Sequence, residues 1–349
     1  MALSIDPEPQ PSPGHLLEVE DLRTSFHTPT GIVRAVDGVS FSLEAGKTLA
    51  IVGESGSGKT VTVLSIMGLI AKGTGRVESG TAMFKGRDLL TLTQEEVRHV
   101  RGKEIAMIFQ DPLTALNPVH RIGNQIIEMI RAHEDVSKDV ARQRAIELLS
   151  TVGIPNPSER IRMYPHEFSG GMRQRAMIAM ALALNPSILI ADEPTTALDV
   201  TVQAQIIDLL QGLQRDFGMG LILITHDLGI VAQVSDDILV MYAGRMVERG
   251  KPDEIFYRPQ HPYTWGLLGS IPRQDAGSEQ TRLINIPGMP PSLMRVPPGC
   301  PFHPRCRFRF EPCDKDRPEL EFRGEHEDAC FLAPDAKDAG RAEILGVKA

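Results

Sequence analysis

The segment Gly53-Glu-Ser-Gly-Ser-Gly-Lys-Thr60 constrains this chain more than any other. It fits G-x-x-x-x-G-K-[ST] and lies between the apolar run Thr48-Leu-Ala-Ile-Val52 and Val61–Ile70, which reads as a helix. Strand, glycine-rich loop and helix, in that order, are the context the pattern requires. Glycine lets the backbone wrap so that successive N–H groups converge on phosphate oxygens, at a helix N-terminus whose dipole also favours anions. Gly53, Ser55, Gly56, Ser57, Gly58 and Val61 would form that wrap. Lys59 would reach the β- and γ-phosphates of ATP, and the Thr60 hydroxyl would ligate Mg²⁺. The competing reading is a glycine-rich turn with a chance lysine; the flanking strand and helix argue against it.

Ile188-Leu-Ile-Ala191 and Leu221-Ile-Leu-Ile-Thr225 are two more apolar runs of strand length, as in a sheet covered on both faces. Val202–Leu213 between them has helical spacing. From Leu16 to about Arg258 the chain therefore reads as α/β. The stretch 112–167 is richer in charge and carries helical patterns at Asn124–His133 and Lys138–Val152, so it reads as a helical subdomain inserted into that core. Residues 1–14, rich in Pro, Ser and acidic side chains, read as a disordered leader. After Pro259 the texture becomes proline-rich and aperiodic. The expected division is a leader (1–14), a nucleotide-binding domain (15–258) and a C-terminal extension (259–349). No internal repeat is present, so one such domain is expected.

The formal net charge is −8, which argues against a nucleic-acid binder working through a basic surface. The longest apolar stretch, Ala176–Leu184, is about half of what a bilayer crossing needs. The acidic, proline-rich start has neither the basic end nor the apolar core of a signal peptide. A cytoplasmic protein is expected, one that docks on the helices of other subunits if it works at a membrane.

Ser187-Ile-Leu-Ile-Ala-Asp192-Glu193 places two carboxylates at the end of a buried strand. Beside the P-loop, Asp192 can hold Mg²⁺ opposite Thr60. Glu193 can polarise the attacking water as a general base. Alone, Asp-Glu after a strand is more often a solvated loop; the upstream P-loop changes that balance.

Four further motifs decide the family. Phe168-Ser-Gly-Gly-Met-Arg-Gln-Arg175 resembles the signature sequence of ATP-binding cassette (ABC) proteins, Gln110 with Asp-Pro-Leu the Q-loop, Thr196-Ala-Leu-Asp199 the D-loop, and His226 the switch histidine. A lone Gln or His is more often structural; the order and spacing of the whole set carry the resemblance, over residues 16–258. It implies an α/β fold: a P-loop ABC ATPase cassette with a RecA-like core, an antiparallel β subdomain and an inserted helical subdomain, here followed by a small cysteine-containing extension.

The resemblance also implies a composite site in which two cassettes face head to tail. Ser169, Gly170 and Gly171 would then contact the γ-phosphate held by a second ABC ATPase subunit, and Asp199 would lie at the same junction. Ser-Gly-Gly at a helix start suits that task, offering a hydroxyl, close backbone approach and exposed N–H groups. Gln110 would sense γ-phosphate, Mg²⁺ and the membrane subunits together, and His226 would orient the water with Glu193. Phe26 is the best-placed residue to stack on adenine, just ahead of His27–Val33, which reads as a loop insertion. The sequence departs from the family pattern in having Phe168 and Met172 around the Ser-Gly-Gly triplet, where Leu and Gln are common.

Asp111-Pro-Leu-Thr-Ala-Leu-Asn-Pro118 and His261-Pro-Tyr-Thr264 resemble the peptide and nickel importer subfamily. That resemblance implies a peripheral subunit at the cytoplasmic face of the inner membrane, with two transmembrane permease subunits, a second ATPase forming a heterodimer, and an external substrate-binding protein. Peptide is preferred over nickel on prevalence alone. The rivals are a soluble ABC ATPase of translation or DNA repair, which generally carries two cassettes or large basic or zinc-bearing insertions, and a degenerate cassette that binds ATP without hydrolysis. Intact Lys59, Asp192, Glu193 and His226 argue against the latter.

All four cysteines, Cys300, Cys306, Cys313 and Cys330, fall in the extension, separated by five, six and sixteen residues. Four thiolates suit a [4Fe–4S] cluster, one per iron, and the spacing lacks the C-x₂-C knuckles typical of zinc sites. Zinc and free or partly oxidised thiols remain the alternatives. His303 reads as a surface histidine. Some importers of the resembled subfamily carry a similar cysteine pattern with such a cluster. The region looks too poor in apolar residues to fold on burial alone, which suits a metal staple. Its distance in sequence from every ATP motif implies a structural role.

Overall fold

The computed structural model describes residues 14–71, 73–196, 198–271, 285–323 and 326–346. The expected leader lies, apart from Gly14, outside the described residues. Two long strands open the chain, β1 (His15–Thr28) and β2 (Gly31–Glu44), followed by β3 (Thr48–Val52), α1 (Lys59–Ile66), β4 (Gly75–Phe84), β5 (Arg87–Asp88), α2 (Gln94–Val100) and β6 (Ile105–Ile108). Then come α3 (Pro112–Ala115), α4 (Ile122–His133), α5 (Lys138–Thr151), α6 (Pro157–Arg160), a 3₁₀ turn at Pro165–Glu167 and α7 (Gly170–Ala181). The core resumes with β7 (Ile188–Asp192), α8 (Val200–Phe217), β8 (Gly220–Ile224), α9 (Leu228–Val234), β9 (Asp237–Tyr242) and β10 (Arg245–Gly250). The described chain ends with α10 (Pro252–Tyr257), α11 (Pro262–Gly269), β11 (Glu321–Arg323), β12 (His326–Asp328) and α12 (Pro334–Leu345).

The strands form two sheets. One is antiparallel, in the order β2-β1-β4-β5; the other runs β11-β12-β10-β9-β3-β8-β7-β6. Its centre, β9-β3-β8-β7-β6, is parallel, and β10, β12 and β11 add to it antiparallel. Strand periodicity distributes this sheet's side chains between separate cores. Leu49 and Ile51 of β3 pack with Ile188 and Ile190 of β7 against the antiparallel sheet. Leu189 and Ala191 face the other way, into the helices α4, α5, α7 and α8. Ala50 and Val52 join a third cluster, built with the C-terminal extension. Every residue of β3, β7 and β8 is buried, which is why these runs read as continuous apolar segments.

Two sequence expectations are corrected. His27–Val33 is not an inserted loop: β1 and β2 stay paired as far as Thr28 and Gly31, leaving only Pro29 and Thr30 as the hairpin turn. The extension does fold by burial. Trp265 and Tyr263 of α11 are fully buried, and Phe302, Ile344 and Leu345 join them against Val240 and Tyr242 of β9. His261 caps α11 by accepting the Tyr263 N–H at 3.1 Å, and its burial pushes its pKa down to about 3, so it serves as a neutral acceptor. Sparse aromatic anchors meeting a face of the sheet thus replace the periodic pattern that sequence reading looks for.

Candidate functional site

The P-loop leaves the C-terminal end of β3 and enters α1. Gly53 has φ of +147° and Gly58 of +104°, and a Cβ on either would fall 2.2 Å from the Met241 carbonyl oxygen or 2.3 Å from that of Ala35. No other residue fits at these two positions. The Lys59 ammonium donates to the carbonyls of Gly53 and Glu54 at 2.8 and 3.0 Å. Burial lowers its pKa, while Glu193, Asp192 and Glu54 oppose that shift.

Three neighbouring parallel strands end at this loop. β7 delivers Asp192, which accepts from the Thr60 hydroxyl at 3.1 Å. Burial raises the Asp192 pKa, against the hydrogen bond from Thr60 and the charge of Lys59, so the site is one where a cation beside the carboxylate is favoured. Beyond β6, the Gln110 amide donates to Glu193 Oε2 at 2.9 Å. Beyond β8, His226 Nδ1 lies 3.5 Å from Glu193 Oε1. Glu193 adopts a left-handed backbone with φ of +46°, unusual for a side chain of its size, held by its N–H donating to the Ile224 carbonyl at 2.8 Å. The hydroxyl of Thr196, the first residue of the D-loop motif, also donates to Glu193 Oε2 at 2.9 Å, a support for the carboxylate that the motif did not reveal.

Ser55, Gly56, Ser57, Gly58, Lys59, Thr60 and Val61 line one groove with Gln110, Glu193 and His226. Its apolar end is formed by Phe26, Val33, Ala35 and Leu293. Phe26 is paired with Val33 across the β1–β2 hairpin, so both lie at the same end. Leu293 comes from the extension, whose backbone crosses β2 where the Arg34 N–H donates to the Leu293 carbonyl at 3.3 Å. Nothing in the aperiodic stretch around Leu293 pointed to this place.

Ser169, Gly170, Gly171 and Asp199 do not line that groove. They gather with each other. Ser169 caps α7, its hydroxyl accepting the Met172 N–H at 3.3 Å, and Asp199 caps α8, accepting the Val202 N–H at 3.0 Å. A Cβ on Gly171 would sit 2.9 Å from a Val202 methyl, so the two helix starts touch. Each presents free backbone N–H groups at a helix N-terminus.

The four cysteines converge: Cys300, Cys306, Cys313 and Cys330 line one small cavity together with His303, which is half-buried and not a surface side chain. The thiols are free, and the Cys300 N–H donates to the Cys313 carbonyl at 2.8 Å. Burial raises the pKa of Cys300, pushes Cys306 up to about 11 and Cys330 up to about 12. Among the described residues no set of three or more His, Cys, Asp or Glu side chains is drawn into metal-binding geometry. The loop is remote from the P-loop in sequence but not in space: Arg305, next to Cys306, makes a two-pronged ion pair with Glu54.

Among the described residues no helix is long and apolar enough to cross a membrane. The family model of the ABC transporter matches residues 36–196, and that of the oligopeptide/dipeptide transporter C-terminal region matches residues 247–313. The chain is 52% identical over 332 residues to the oligopeptide transport ATP-binding protein OppD of Salmonella typhimurium, covering 95% of this chain and 98% of that one. It is 54% identical over 318 residues to the dipeptide transport ATP-binding protein DppD of Bacillus subtilis, covering 91% and 94%. Among solved structures, the dimeric bacterial ABC transporter cassette MJ0796 superposes with a TM-score of 0.61 at 26% identity, over 68% of this chain and 98% of that one. CbiO1 of Clostridium perfringens gives 0.60 at 27% identity, over 70% and 92%. The two family models and the two sequence relatives together span both the α/β core and the C-terminal extension, so the chain belongs to the ABC transporter ATPases, in the oligopeptide/dipeptide transporter family.

Proposed function

We propose that this chain hydrolyses ATP to drive di- or oligopeptide import, with Glu193 as the general base. The observation that carries the assignment is the convergence on Glu193 of Gln110, Thr196 and His226, at the mouth of the P-loop. In this mechanism the P-loop N–H groups and Lys59 bind the β- and γ-phosphates, and Phe26, Val33 and Leu293 cover the base. Thr60, Asp192 and Gln110 are the residues that would hold Mg²⁺, which neutralises charge developing on the transferred phosphoryl group. Glu193 accepts a proton from the attacking water while His226 helps to orient it. Ser169–Gly171 and Asp199, set apart from this groove, serve the site of a second cassette. The functional unit is a heterodimer with a related ATPase, seated on two permease subunits at the cytoplasmic face of the inner membrane and supplied by an external substrate-binding protein.

The division into a nucleotide-binding domain (15–258, helical part about 112–167) and an extension (259–349) belongs to the same proposal. So does a [4Fe–4S] cluster held by Cys300, Cys306, Cys313 and Cys330. Four half-buried thiols around one cavity are the right donor set, and a bound cationic metal core would offset the burial that raises the pKa of Cys300, Cys306 and Cys330. The test of function is reconstitution with the two permeases, the second ATPase and the binding protein in proteoliposomes. ATP-dependent peptide accumulation that Glu193→Gln abolishes supports the reading; accumulation that survives this change refutes it.

A further inference from the structure

Two side chains of the extension reach one residue of the P-loop. The Glu54 N–H donates to Tyr263 Oη at 2.8 Å, and its carboxylate accepts from Arg305 Nη1 at 2.6 Å and Nη2 at 2.9 Å. Arg305 is fixed from every side. Its Nε donates to the Pro287 carbonyl at 2.9 Å, its Nη1 lies 3.4 Å from Tyr242 Oη, and its guanidinium faces the Tyr242 and Phe302 rings at 5.8 and 6.0 Å. The side chain is only 5% exposed. A planar donor fork locked in this way is built for one carboxylate.

The electrostatics give the pair a task. Glu54 is an anion within a loop whose function is to bind anionic phosphates. Unneutralised, its charge would oppose the triphosphate and draw Lys59, which already donates to the Glu54 carbonyl, toward the loop's own backbone. We propose that Arg305 is a positioning residue for nucleotide binding: it neutralises Glu54 and, with Tyr263, holds the start of the P-loop in the conformation that receives phosphate. The P-loop's affinity for ATP is then set partly by the extension. This proposal stands whether or not the neighbouring cysteines hold a metal.

The test is ATP titration of the full chain by competition with a fluorescent nucleotide, with turnover at saturating ATP measured in the assembled ATPase. Arg305→Met removes the charge while keeping length, and should weaken ATP binding about tenfold or more with saturating turnover within about twofold. Adding Glu54→Gln to that variant removes the stranded anion and should restore affinity to within about threefold of wild type. Arg305→Lys, which keeps the charge but loses the fork, should fall between them. A purely structural role for Arg305 would not be rescued by Glu54→Gln. Unchanged affinity in Arg305→Met, or a double variant as weak as the single one, would overturn the proposal. If Arg305→Met does not fold, the same comparison is made with Arg305→Lys alone and with Glu54→Gln; unchanged affinity there overturns it equally.

Discussion

Gln110 Nε2 donates to Glu193 Oε2 at 2.9 Å, and so joins the segment after β6 to the carboxylate that follows β7. The same oxygen accepts from Thr196, whereas Oε1 faces His226 at 3.5 Å, leaving that side of the carboxylate less committed. A base held on one oxygen and open on the other can take a proton from water without first breaking its support. The left-handed backbone at Glu193 aims the carboxylate there, and the strain is borne by the hydrogen bond to Ile224.

Glu193→Gln should therefore keep ATP binding and lose about 10²–10⁴-fold in turnover. Phosphate release and nucleotide affinity, measured on the same preparation, check this. A Gln variant with near-normal release would remove Glu193 from the role of base. Lys59→Ala should do the opposite, weakening affinity before turnover.

Leu293→Ala should raise the ATP dissociation constant about three- to tenfold, the value of partly burying one aliphatic side chain. Inorganic triphosphate lacks a base, so its binding should not change. Equal losses for ATP and triphosphate would show that Leu293 supports the P-loop and does not contact adenine.

Anaerobically purified protein should be brown, with about four irons per chain, and Cys→Ser changes at Cys300, Cys306, Cys313 or Cys330 should bleach it. A colourless anaerobic preparation with one zinc per chain would decide for zinc.

His326 joins β12 to the main sheet through Glu248. Burial disfavours its charged form, but the 2.7 Å contact with Glu248 and the charges of Asp328 and Glu254 outweigh this and raise its pKa. A group whose pKa is higher in the folded state contributes stability that is complete below its unfolded value, about 6.5, and fades as pH rises through the folded one. Docking of β12 should thus loosen as pH rises from about 6.5. Amide exchange of residues 326–328 against pH reads this directly. The same pH slope in His326→Gln would mean that another group is responsible.

The sequence by itself determined the α/β core and the P-loop, because both are written in contiguous residues. A buried strand must be apolar along its length, and a phosphate loop must place glycine where no Cβ fits, as at Gly53 and Gly58. The signature and D-loop motifs are equally local; that Ser169 and Asp199 also cap helix N–H groups three residues on was seen only in the structure. What only the tertiary structure decided is the extension and everything it brings to the site. Trp265, Tyr263 and Phe302 are too sparse to show a period, and their burial appears only once β9 offers them a face. Leu293 reaches the nucleotide groove, and Arg305 reaches Glu54 across 251 positions, through the packing of two surfaces. A short-range pattern is imposed by the geometry of one strand or helix, whereas a contact at such separation depends on how whole elements dock, and no spacing along the chain encodes that.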